Sequence, residues 1–182
     1  MEFLCKEEIF RFSDTKGNPI ERKTEIRFDP LTNETSRIVF DPGLSLVPPD
    51  YTEIAQKTGG KNCPFCSENL LNMTPLFSKE YVEEGRIHVG TATVFPNLFP
   101  YSKHNGVVIF SGDHYVKLEE FTTDMLKNAF LAAKTFIEKV WEKDKEAKYA
   151  SINWNYLPHS GGSILHPHMH IIISDAPTNE QS

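Results

Sequence analysis

The sequence predicts an α+β fold, with one long helix packed on a mainly antiparallel sheet. Two observations carry this. Residues 122–143 form a single long amphipathic stretch, and short runs readable as strands lie on both sides of it. The order is strands, helix, strands, without tandem repeat or low-complexity segment.

Taken in order, residues 1–23 are charged and turn-rich (DTKGNP at 14–19) and show no chemistry of their own. RIVF at 37–40 reads as a short strand, followed by the proline-rich connection DPGLSLVPPD at 41–50. CPFC at 63–66 is a second irregular point, and TATVF (91–95) and GVVIF (106–110) are β-rich runs bounded by Pro, Gly and Asn. From Thr122 to about Lys143 apolar residues fall at Met125, Ala129, Ala132, Phe136 and Val140, with Leu126, Phe130, Ala133, Ile137 and Trp141 alongside. That is a wide stripe of helical period, with Thr122 or Thr123 as N-cap and the charged cluster at 142–148 as its end. YASINW (149–154) and the histidine-rich segment that follows are readable as strands.

Composition narrows the function classes. The chain has 182 residues, 39% apolar and 24% charged, which suits one ordinary globular domain. A net charge of −6 with no Lys/Arg run argues against an extended nucleic-acid surface, though a local phosphate site is compatible with it. No signal-peptide core and no membrane-length apolar run is present. Three cysteines form no disulfide framework, so a reducing, cytoplasmic setting is expected.

Chemistry concentrates in GGSILHPHMHIII, residues 161–173. If this stretch is extended, His166, His168 and His170 share one face, which suits metal binding, acid–base chemistry or nucleophilic attack. Pro167 forces His166 into an extended conformation and suggests a strand start or edge. Upstream, HSGGS at 159–163 could turn successive N–H groups towards one point as an anion nest; its plain alternative is a flexible turn. A phosphorus centre held at Gly161–Ser163 would lie within reach of a His168 nucleophile, forming a phosphohistidine-type intermediate. CPFC itself has three readings: half of a zinc site, a redox dithiol, or structural cysteines. The redox reading is the weakest, because SENLLNMTP after it is helix-poor.

HPHMHIII is similar to the histidine-triad signature, His–x–His–x–His before apolar residues. The wider pattern resembles the N-terminal half of galactose-1-phosphate uridylyltransferases, a branch of that superfamily. It runs through RFDPLTNE (27–34), CPFCSEN (63–69), VFPNLFPY (94–101), VVIFSGDH with KLEEF (107–121) and GGSILHPHMHI (161–171). The resemblance implies a histidine-triad-like domain over 25–182 after an N-terminal extension at 1–24. It implies Zn²⁺ on Cys63, Cys66, His114 and His166, with His168 as the nucleophile that becomes nucleotidylated. Nucleotide contacts would come from Asn97, Asn155, Gly161, Gly162 and Ser163; for the asparagines, turn capping is the plain alternative. A sugar-nucleotide, a phosphorylated acceptor and a homodimer are the expected partners.

Three departures from that family stand out. His170 occupies the place where its transferases usually have Gln, as in the hydrolytic histidine-triad branch. GLSLVPP (43–49) lacks the arginines expected to meet the sugar-nucleotide. TNEQS (178–182) stands about where the family's second repeat would begin. The expected activity is therefore nucleotidyl transfer, against a hydrolase assisted by His170 and a non-catalytic zinc or nucleotide-binding module.

Overall fold

A computed structural model describes residues 3–40, 49–178 and 181. The arginine-free stretch GLSLVPP lies almost wholly outside the described residues, as does most of the terminal TNEQS. The chain forms two compact units, Met1–Pro49 and Asp50–Ser182. The boundary expected at 24/25 falls instead inside a strand, so residues 25–39 complete the first unit.

The first unit is a three-stranded antiparallel sheet of β1 (Cys5–Ser13), β2 (Pro19–Phe28) and β3 (Thr35–Val39), in that order. The turn DTKGNP joins β1 to β2: Asp14 accepts from the N–H groups of Lys16 and Asn18, both at 2.8 Å. One face of β1 and β2 is mostly charged, and the other mixes Phe10, Phe12, Ile20, Ile26 and Phe28 with Lys6, Glu8 and Arg22, which hides the strand pattern from a simple hydropathy reading.

The second unit opens with two short helices, α1 (Thr52–Thr58) and α2 (Leu70–Met73). A five-stranded antiparallel sheet follows, built from β4 (Ile87–Val89), β5 (Ala92–Pro96), β6 (His104–Ile109), β7 (Tyr149–Asn153) and β8 (His168–Ser174). Its strand order is β4-β5-β6-β8-β7. The long helix α3 (Thr123–Lys143) connects β6 to β7, and Thr122 caps it by accepting from the Met125 N–H at 3.2 Å. No described helix is long and apolar enough to cross a membrane.

Side-chain alternation gives the sheet two different faces. Val94, Val108, Met169, Ile171 and Ile173 bury against Ala129, Ala132, Ala133, Phe136 and Val140 of α3. Small alanines let the helix approach closely. At Gly106 a Cβ would stand 3.1 Å from the Phe136 ring, so even alanine would require that ring to shift slightly. The opposite face carries Phe95, Val107 and Ile109, packed on Cys63, Phe65 and Cys66. His168 pairs with Ile109, and His170 with Val107, so both imidazoles project from this second face.

The end of α3 is tied to the start of β6. Asp144 Oδ2 lies 2.7 Å from His104 Nε2 and 2.6 Å from Lys103 Nζ. These two partners hold the Asp144 carboxyl well below the usual carboxylate range. A depressed carboxyl adds stability above its unfolded pKa and loses it as pH falls towards the folded value. Asp144→Asn is therefore expected to melt below the wild type at neutral pH. The gap should narrow once the pH drops beneath the ordinary carboxylate range, as paired melting curves would show.

Candidate functional site

The cysteine turn builds the first part of the site. Cys66 N–H points to the Cys63 carbonyl, and Phe65 N–H donates to Cys63 Sγ at 3.4 Å, a backbone bond suited to a thiolate. Asn69 Nδ2 fastens the turn to the carbonyls of Gly60 and Cys63 at 3.0 and 2.9 Å. A helix then begins, but only the four residues of α2, and the sheet beside it is antiparallel throughout. That is not the strand–helix–strand setting of a redox dithiol.

Two histidines close on these sulfurs. His114 Nδ1 stands 3.5 Å from Cys66 Sγ, and His166 Nδ1 stands 3.8 Å from both Cys63 Sγ and Cys66 Sγ. All four ligand atoms lie within 4.8 Å of one another. A tetrahedral zinc ion, with bonds of ~2.3 Å to sulfur and ~2.0 Å to nitrogen, would set its ligands roughly 3.3–3.8 Å apart. The 3.5–3.8 Å separations fall in that range and the widest exceeds it by about 1 Å, so the cluster can hold a metal ion after a small contraction.

Each imidazole is aimed by its outer nitrogen. His166 Nε2 donates to the Ser111 carbonyl at 2.9 Å, and His114 Nε2 meets Thr58 Oγ1 at 3.0 Å. For His166 this leaves Nδ1 unprotonated and turned towards the sulfurs, the tautomer a metal ligand needs. Burial pushes the Cys63 thiol up to about 11 and His166 down to about 4. A bound cation would reverse the thiol's preference for its proton.

The strand starts two residues later than the alternating histidines suggest. β8 begins at His168, and His166 sits in the bend before Pro167. This break separates their tasks. The His166 ring enters the cluster while its carbonyl accepts from His168 Nδ1 at 2.8 Å. A carbonyl cannot donate, so the His168 proton resides on Nδ1, and Nε2 keeps its lone pair. Burial, chiefly, holds His168 and His170 below the ordinary histidine range. The two rings meet edge to face with centroids 5.1 Å apart, and His170 Nδ1 is buried without a described partner.

Both histidines line two cavities. The larger, about 390 Å³, is mostly apolar, with Phe65, Phe95, Leu98, Phe99 and Val107 among its walls and Asn97 on its rim. The smaller, about 260 Å³, is polar and contains Asn153, Asn155, Gly161, Gly162 and Ser163. Tyr101 and Ser163 border both. Every residue expected at the site is thus in one of three adjoining places: the cysteine–histidine cluster or either cavity.

The preformed anion nest is not found. Gly161 N–H donates to the Pro158 carbonyl at 2.9 Å and Gly162 N–H to the Leu157 carbonyl at 3.2 Å. These donors close a tight turn instead of facing the cavity. Gly161 has φ of 93°, and a Cβ on Gly162 would lie 3.0 Å from the Asn155 carbonyl, so glycine serves the turn at both positions. Asn97 does act as a turn cap, accepting from the Phe99 N–H at 3.0 Å, and it also lines the apolar cavity.

Sequence reasoning missed Asn105, Tyr101 and Ser111. Asn105 is buried and joins the loop to the sheet: Oδ1 accepts from Asn97 Nδ2 and the Tyr101 N–H, and Nδ2 donates to the Ile171 carbonyl at 2.6 Å. Its signal was an amide within the apolar run HNGVVIF. Asn105→Ala is expected to cost about 1–3 kcal/mol, the penalty for stranding buried partners. Denaturant melts should show that loss, together with weaker ligand binding as the 97–101 wall loosens.

No family model matches the chain. An uncharacterized protein of Archaeoglobus fulgidus is 36% identical over 180 residues, covering 98% of this chain and 52% of that protein. The chain thus spans about half the length of that curated relative. Among solved structures it is similar to an ADP-glucose phosphorylase from Arabidopsis thaliana with bound ADP-glucose: TM-score 0.55, 18% identity, covering 86% of this chain and 50% of that one. A GalT-like protein from A. thaliana gives 0.54 at 20% identity, covering 66% and 42%. A HIT family protein from Bacillus anthracis gives 0.50 at 14%, covering 68% and 79%. With its single long helix on an antiparallel sheet and its histidine strand beside β6, this chain has the histidine-triad fold in a form shared with GalT-like structures.

Proposed function

We propose that the protein is a zinc-containing nucleotidyltransferase that works through a nucleotidyl-histidine intermediate. The observation carrying this is His168, placed where an apolar cavity meets a polar one and holding its proton on Nδ1. The nucleoside would occupy the apolar cavity, and the phosphates the polar one beside Asn155 and Ser163. His168 Nε2 attacks the α-phosphorus, a P–N bond forms, and the bond to the donor's leaving phosphate or sugar phosphate breaks. A phosphorylated acceptor then attacks the same phosphorus through oxygen and releases His168. Zinc on Cys63, Cys66, His114 and His166 would be structural, since four protein ligands leave no open position.

ADP-glucose in the similar A. thaliana phosphorylase favours a sugar-nucleotide as donor. His170 gives a second reading. Its ring lies beside His168 in both cavities, where it could assist water, and hydrolysis would then replace transfer. Mass spectrometry after exposure to UDP- and ADP-sugars tests the first reading, with an added nucleotide mass expected on the His168 peptide. Turnover that proceeds equally well without a sugar-phosphate or phosphate acceptor would favour hydrolysis. Binding without adduct or turnover would leave a non-catalytic nucleotide module. The proposed setting is cytoplasmic, with a homodimer as the assembly.

A further inference from the structure

The outer edge of β1 carries an ordered pattern that nothing in the catalytic reading uses. β1 pairs only with β2 among the described residues, so one side of its backbone is open. Phe28 N–H donates to the Leu4 carbonyl at 3.1 Å, one step beyond the Cys5–Arg27 pair in the same register. Hydrogen-bonded and non-bonded pairs alternate in an antiparallel ladder. Lys6, Glu8, Phe10 and Phe12 therefore turn their N–H and C=O towards β2, while Cys5, Glu7, Ile9, Arg11 and Ser13 turn theirs outward.

An open edge of this length invites another strand, and charges on it restrict which one fits. A second copy can pair antiparallel about a two-fold axis at any β1 residue. An axis at Glu7, Glu8 or Arg11 would set that residue's charge against itself. An axis at Phe10 leaves Glu7 opposite Ser13 and Arg11 opposite Ile9. An axis at Ile9 places Glu7 of each copy opposite Arg11 of the other, twice, and matches outward-facing residues with outward-facing ones. Lys23 lies 2.5 Å from Glu7, and Glu21 lies 2.5 Å from Arg11, so the two new pairs would extend existing ones into a four-charge row across the axis.

The other face of this register carries Phe10 and Phe12 beside Lys6 and Glu8. Phe10 and Phe12 stack at 5.3 Å yet Phe10 is 67% exposed. In the Ile9 register the Phe10 rings of the two copies become diagonal neighbours, within reach of each other. The other sheet edge does not offer this: pairing β3 with itself about its centre would put Arg37 against Arg37. We propose that the β1 edge is a homodimer surface, joining two three-stranded sheets into one of six strands in the register centred on Ile9. This surface is independent of the catalytic reading and can fail or stand without it.

The test is the molar mass of the full chain in solution, by sedimentation equilibrium. The wild type is expected as a dimer. Glu7→Arg and Arg11→Glu should each raise the dissociation constant at least tenfold, by placing like charges opposite each other. Mixed in equal amounts, the two variants should recover a dimer, because each then carries the complement of the other. Ile9→Pro removes an outward N–H without touching the β2 ladder, and should yield a monomer with an unchanged circular dichroism spectrum. A monomeric wild type, a dimer indifferent to both charge changes, or a mixture that fails to recover it would each overturn the proposal.

Discussion

His168→Ala is expected to lose nucleotide turnover by on the order of 10³-fold or more, and to lose covalent labelling altogether, because the proposed attacking atom is gone. Folding and metal content should hardly change. The His168 backbone keeps its ladder position opposite Ile109, and the cluster uses the ring of His166. This combination makes the measurement decisive. A variant that still labels, or turns over at the wild-type rate, removes His168 from the mechanism. His168→Gly adds a further control, since free imidazole supplied to the vacated space should restore cleavage of the donor in part.

Removing a cluster ligand should have the largest effect on stability. Cys63→Ala or Cys66→Ala is expected to lose one equivalent of zinc and to destabilise the fold by about 4 kcal/mol or more, the scale reached when a structural metal is lost. Activity should fall as well, although neither sulfur lines the polar cavity. Without an ion, the Ser111 carbonyl and packing alone hold the His166 ring between the sulfurs, and the carbonyl that orients His168 is less firmly placed. Elemental analysis together with thermal melts, with and without a chelator, checks both parts. Freshly purified protein free of zinc and indifferent to chelation would sink this assignment.

What could be read from the sequence was chemistry carried by side-chain type at fixed spacing. The period of α3, the paired cysteines and the alternating histidines all announce themselves, because each depends on a few adjacent residues. His114 does not; one histidine in a loop acquires meaning only through the family resemblance and the long-range approach of two segments. The Ser111 carbonyl that aims His166 is a backbone group, which any residue would supply. At HSGGS the direction of the amides depended on a turn closing on Leu157 and Pro158, so glycine composition alone misled. The β1–β2 hairpin went unread because both faces of β1 carry charges, which dilutes the two-residue period.

His166 reaches in two directions at once, and this binds the fates of two places together. Its ring belongs to the cysteine–histidine cluster, and its carbonyl accepts the Nδ1 proton of the imidazole two positions on. Anyone redesigning the cluster away would have to keep an acceptor in place for the His168 proton, or accept a ring free to present either nitrogen. Under the proposed function, a lineage that lost the four ligands would face the same constraint, with reactivity eroding alongside ligation.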